Sequence, residues 1–144
     1  MANSFASPSA FSNAINGMRF RIASLHGHAP RTQATQAPKA TLAQAIMPGA
    51  GVIGGLRMQC IDTGTTSSTT YNTVALYKAS AGSITYTAIG TLRCARGSNG
   101  ARNSMGFSGA TALVSPGDVL VIRRLTKLNT ASQIFVSAEV DASV

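Results

Sequence analysis

Tryptophan is absent from this 144-residue chain, and Phe and Tyr together bring the aromatics to only 6%. Much of the 44% hydrophobic fraction is alanine. Large core side chains are therefore thin, so an isolated monomer is expected to be modestly stable and to gain from association. Charge is also scarce, at 11% of residues, where an average domain carries roughly 25%. Solubility then rests on Ser, Thr, Asn and Gln. That suits a surface covered by neighbours, and it equally suits a plain Ser/Thr-rich β protein.

Acids are scarcest of all: Asp62, Asp118, Glu139 and Asp141 make up the whole set. Paired-carboxylate catalysis needs two acids close together. Glu139 and Asp141 share one face of the last strand, but with so few acids they read as edge or rim charges. Cys60 and Cys94 cannot form a zinc site alone and lack CxxC spacing. Buried free thiols are expected, with a cross-strand disulfide as the alternative. No run approaches the ~18–20 apolar residues of a membrane span. No N-terminal segment joins a basic start to a long apolar core, so no signal peptide is expected, and the cytoplasm of the producing cell is the default location.

The net charge is +8, and it is unevenly placed. Arg19, Arg21, Arg31, Lys39 and Arg57 all precede the first acid, so residues 1–61 carry +5. Such an excess favours an acidic partner, nucleic acid or a negative protein surface. No consecutive Lys/Arg block appears, as a dense nucleic-acid arm would have. Arg96 and Arg102 in a Gly/Ser/Asn-rich loop could add phosphate contacts. Tyr71, Tyr77 and Tyr86 lack clustered bases, so base stacking is poorly supported.

The stretch "SPSAFSNAING" carries helix punctuation: Ser7 as cap, Pro8 in the first turn, Gly17 as stop, with Phe11 and Ile15 on one face. "MRFRIASL" alternates Met18, Phe20 and Ile22 with arginines, a strand pattern. "SLHGHAPRTQATQAPKATLAQA" has no sustained periodicity and cannot fold by itself. "PKATLAQAIMPG" predicts a turn or two of helix with Leu42 and Ile46 on one side. From Val52 onward, seven or eight short strands alternate with Gly-, Ser- and Pro-rich turns. "DVLVIRRL" reads as a central strand, and "QIFVSAEV" as an alternating one. Arg123 and Arg124 are adjacent in a strand, so one of them must face inward. The expected fold is an all-β antiparallel β-sandwich over residues 50–144. Residues 1–49 form an extended N-terminal arm carrying short helical pieces.

Reaction chemistry is hard to find. His26 and His28, the two histidines, could point to one side of a strand, but Gly27 loosens the spacing and a metal needs more ligands. No GxSxG elbow exists for a Ser-His-Asp triad. Gly49 to Gly54 matches GxGxxG without a preceding strand or following helix, so a flexible lead-in is the better reading. No enzyme activity and no cofactor are expected.

The arm over residues 1–50, with the body that ends in "SPGDVLVIRRL" and "QIFVSAEV", resembles small bacteriophage head decoration, or cement, proteins. That resemblance implies a jelly-roll-like body and a homotrimer that clamps neighbouring subunits of the major capsid protein on the virion surface. It places the capsid contacts at Phe11, Ile15, Arg19, Phe20, Arg21 and Arg31. Affinity would be multiplied over several attachment points. A small viral coat protein whose arm meets the genome is one alternative. A tail-fibre binding module is another, although no sugar groove lined with aromatics or acids is visible in the sequence.

Overall fold

The apolar stretch Val119–Thr126 and the alternating stretch Ser132–Ala142 each lie at the middle of a sheet, one in each half of the molecule. The computed structural model describes residues 20–29, 40–67, 69–126 and 132–143. These hold nine strands: β1 (Arg21–Ala29), β2 (Ala40–Ile46), β3 (Gly51–Asp62), β4 (Tyr71–Ala79), β5 (Thr87–Ala95), β6 (Ala101–Met105), β7 (Leu113–Val114), β8 (Val119–Thr126) and β9 (Ser132–Ala142). One sheet runs β1-β9-β3-β6, with β7 added to β3; the other runs β2-β8-β4-β5. All pairings are antiparallel. With the short β7 set aside, eight strands in this order form a double Greek key, the jelly roll.

Two expectations are corrected. The sandwich begins at Arg21 and not at residue 50, because β1 pairs β9 and β2 pairs β8 as full edge strands. The segment around Leu42 and Ile46 is a strand and not a helix. Its partner β8 supplies a ladder of backbone hydrogen bonds, interrupted once between Thr41 and Ala43, which a short isolated helix could not match. The predicted helix over Ser7–Gly17 lies outside the described residues.

The core sits between the sheets and follows the alternation of the strands. Leu25, Ile53, Leu56, Leu76, Leu120, Ile122, Ile134 and Val140 are fully enclosed; side chains of this size each contribute about 1.5–3 kcal/mol on burial. Leu56, Met58 and Cys60 share the inner face of β3, and Ile134, Val136, Ala138 and Val140 that of β9. Gly27 permits the close approach of β1 to β2: a Cβ there would lie 2.6 Å from the carbonyl oxygen of Leu42. Ile84 projects from the turn before β5, 93% exposed.

Asp118 organises one end of the sandwich. Its carboxylate accepts from the backbone N–H groups of Ala81 and Ser115, at 3.2 and 2.9 Å. Gly117, with φ +85°, follows Pro116 in the tight turn before β8. The Met47 N–H donates to Asp118 O at 2.7 Å, which ties the β2–β3 connection to that turn. At the other end Asp62 is buried, with its Oδ2 accepting from Asn72 Nδ2 at 2.8 Å and Ser132 Oγ at 2.9 Å.

Candidate functional site

Register alone assembles a surface on the outer face of the β1-β9-β3-β6 sheet. His28 pairs with Phe135, Phe135 with Gln59, and Gln59 with Arg102. One step along, His26 pairs with Ser137, Ser137 with Arg57, and Arg57 with Ser104. Side chains at alternate strand positions share a face. Two parallel rows of four residues therefore cross the sheet from edge to edge. Between them lies an open groove of about 600 Å³, within the usual size range of ligand sites.

The groove has one aromatic wall. Phe135 lines it, and the His28 ring stacks behind Phe135 with centroids 4.3 Å apart and planes 8° from parallel. His28 Nε2–H donates to Gln133 Oε1 at 3.2 Å, which fixes the imidazole in that position. Arg57 and Arg102 supply positive charge. Arg57 Nη1 meets Glu139 Oε1 at 3.1 Å and remains 60% exposed at its side chain. Arg102 makes no ion pair among the described residues. No carboxylate lines the groove.

The opposite outer face is closed. Arg123 lies over the rings of Tyr77 and Tyr86, at 5.0 and 4.8 Å, and Arg93 over Tyr71 at 4.2 Å. Ala75 and Val121 are buried on that side, away from the main core. Arg124, the neighbour of Arg123, points inward and is buried, as two adjacent strand residues require. Desolvation of its guanidinium lowers its pKa.

A second surface lies at the end organised by Asp118. Six large apolar side chains are exposed among the described residues, and five of them, Phe20, Ile46, Val52, Ile84 and Leu113, belong to this end. Val52 pairs with Leu113 and with Asp141. Ala142 N–H donates to Phe20 O at 2.6 Å. Ile46 pairs with Val119, which also pairs with Ala79, the last residue of β4 before the turn that carries Ile84. Phe135, on the groove, is the sixth.

Of the contacts implied by resemblance, Phe11, Ile15, Arg19 and Arg31 lie outside the described residues. Phe20 and Arg21 stand at the apolar end. Phe20 is half exposed. Arg21 is engaged within its own sheet: Nε donates to Asp141 Oδ1 at 3.0 Å and Nη2 meets Glu139 Oε2 at 3.2 Å. The hydrogen bond to Asp141 raises the Arg21 pKa; desolvation opposes it, and the charges of Glu139 and Asp141 add to the rise. Glu139 and Asp141, read as edge or rim charges, are on the central strand β9 and pair with Arg21 and Arg57.

His26 and His28 do point to one side, because Gly27 is a regular strand residue whose inner position the neighbouring β2 backbone fills. Among the described residues no group of three His, Cys, Asp or Glu side chains gathers to hold a metal. Cys60 and Cys94 are buried and free. Burial is the main reason the Cys60 thiol is pushed up to about 12; Cys94 and Asp62 add to it, and the Asn72 amide opposes it. Burial also raises the Cys94 thiol. No helix among the described residues is long and apolar enough to cross a membrane.

Sequence reasoning missed the groove. Gln59, Arg102 and Phe135 come from three strands, and only the pairing register puts them in one row. The signal available was the polar outward half of β3 and β9, which names candidates but not neighbours.

No protein-family model and no curated protein matches the chain. Solved structures similar to it include the capsid protein of a human norovirus GI.7 particle, at 12% identity and TM-score 0.42, covering 97% of this chain and 32% of that one. Triatoma virus gives 9% identity and TM-score 0.44 over 99% of this chain and 77% of its own. A xylanase 10B fragment of Clostridium thermocellum, with CBM22-1 and GH10 modules, gives 12% identity and TM-score 0.42 over 88% and 26%. The chain thus spans about a third of the length of the norovirus chain.

Proposed function

We propose that this chain is a virion structural protein, a capsid decoration or cement protein whose jelly-roll body and N-terminal segment bind the major capsid protein of a head lattice. In this reading it acts as a homo-oligomer, a trimer, on the virion surface, and it is not an enzyme. The observation that carries the reading is the concentration of exposed apolar side chains at one end. A protein poor in large hydrophobics leaves Phe20, Ile46, Val52, Ile84 and Leu113 outside its core, all at that end. Exposed apolar side chains gathered in one region mark association surfaces. The chain enters the sandwich at Phe20 and Arg21, so residues 1–19, which carry Arg19 and no acid, join the body at the same end. Attachment there would combine apolar burial with charge attraction to an acidic lattice.

The test is mass spectrometry of virus particles banded on a density gradient from cells that make the protein. The reading expects the chain at a fixed ratio to the major capsid protein, released as a folded oligomer by mild denaturant with the shell left closed. Absence from the particles contradicts it. A shell built from this chain alone assigns it instead as the coat protein.

A further inference from the structure

We infer that the groove on the outer β1-β9-β3-β6 face is a binding site for an acidic glycan, a saccharide that carries a carboxylate. This goes beyond the proposed virion role and does not depend on it, since the groove and the apolar end are separate surfaces. The groove offers Arg57, Arg102, Gln59 and the hydroxyls of Ser104 and Ser137, mostly hydrogen-bond donors, and no carboxylate. A donor-rich lining with two guanidinium groups, Arg57 already paired with Glu139 and Arg102 without an ion pair among the described residues, favours a ligand rich in acceptors and negatively charged. The remaining wall is the exposed ring of Phe135, held upright by the His28 stack. A pyranose has an apolar C–H face that lies on such a ring, while its hydroxyls and carboxylate meet polar groups at its edge.

Size favours the same ligand. Four strands at the usual spacing of about 4.8 Å place the two sheet edges roughly 14 Å apart, and the two rows of side chains lie about 7 Å from each other. That area suits one or two sugar rings. Single-stranded nucleic acid fits less well, because its sites cover at least about four nucleotides and stack successive bases on successive aromatics. Here two rings line the groove, those of Phe135 and His26, and His28 already occupies one face of Phe135. On the opposite outer face, among the described residues, Arg93 and Arg123 lie over that sheet's own tyrosines, so neither guanidinium is presented as Arg102 is.

The test uses the full chain, fluorescently labelled, on an immobilised panel of uronate- and sialate-bearing oligosaccharides with their neutral counterparts, alongside single-stranded oligothymidylate. The expected result is retention on carboxylated members, with neutral counterparts weaker by about tenfold or more, the equivalent of one charge-assisted hydrogen bond. Arg102→Gln and Phe135→Ser should each weaken retention by about the same factor, with melting curves close to that of the parent. Arg93→Gln removes the same charge from the other sheet and should leave retention unchanged. Failure of every carboxylated member to bind overturns the inference. So does equal binding of neutral and acidic members, or loss of binding in Arg93→Gln to the same degree. Retention of oligothymidylate through Arg102 and Phe135, without glycan binding, would make the groove a nucleic-acid surface.

Discussion

Replacing Asp62 by asparagine tests how much the buried polar cluster contributes to closing the sandwich. The carboxylate is fully buried at the end of β3. Its Oδ1 accepts from the Gly64 N–H at 2.8 Å, its Oδ2 from Asn72 and Ser132, and the Gly97 N–H adds a further donor. The cluster joins three strands, since Asn72 is the second residue of β4 and Ser132 the first of β9. Burial alone would push the Asp62 pKa up; the donors outweigh it and leave the carboxyl below its ordinary value. In Asp62→Asn the new NH2 group must confront donors whichever way the amide is turned. The backbone N–H groups of Gly64 and Gly97 cannot reverse; Ser132 can rotate to accept, and Asn72 can accept only by flipping its amide, which gives up its Nδ2 contact with Cys60. The charge-assisted bonds to the carboxylate become neutral ones and the cluster must rearrange, a loss of about 2–4 kcal/mol. For a domain of this size that lowers Tm by roughly 5–15 °C. The folded carboxyl holds its proton less tightly than the unfolded one. Its contribution is therefore complete above the unfolded value of about 3.9 and fades as pH falls through the lower folded value. Thermal melts of both proteins from about pH 2.5 to about pH 7, either side of that value, should show a gap that is widest near neutrality and narrows in acid. A variant as stable as the parent at pH 7, or a gap independent of pH, refutes the reasoning.

Gly27→Ala should cost about 1–3 kcal/mol in denaturant unfolding, because its Cβ would sit within 2.6 Å of the Leu42 carbonyl oxygen; an unchanged midpoint would mean the edges of the two sheets part easily. Cys60 and Cys94 should resist a chromogenic disulfide reagent at pH 8 in the native state and react, both of them, once the chain is unfolded. Rapid labelling of the native protein would show that the sandwich opens at β3 and β5. Leu56→Ala, which empties a fully buried site between the sheets, should lower stability by about 3–5 kcal/mol with the dichroism spectrum retained.

Strands were legible where one face is buried. The alternation read in β9 marked its inner residues because each inward position faces the core and each outward one faces water. The inward turn of one residue in the Arg123–Arg124 pair followed from the same geometry. β2 was misread because Leu42 and Ile46 are spaced as on a helix, whereas the ladder with β8 contains a register shift between Thr41 and Ala43 that disturbs simple alternation. The start of β1 was read as a strand pattern, but the segment was assigned to a free arm because the stretch that follows has no sustained periodicity; an edge strand needs only one apolar face, here Ile22, Leu25 and Ala29. The two candidate surfaces were the least legible. Phe20 and Ile46 reach the same end as Leu113 through long-range pairings, and the groove rows join residues more than 40 positions apart, such as Gln59 and Arg102. Local pattern carries no such information.

Association through the apolar end can be read by light scattering on a sizing column, with absorbance followed at 260 and 280 nm. The parent should elute at moderate salt as a small closed oligomer free of nucleic acid. The double variant Ile46→Asp, Leu113→Asp, altered at two exposed positions, should elute as a folded monomer with an unchanged melting profile. A parent that is monomeric at every concentration, or a double variant that keeps the parent's oligomer, contradicts the account.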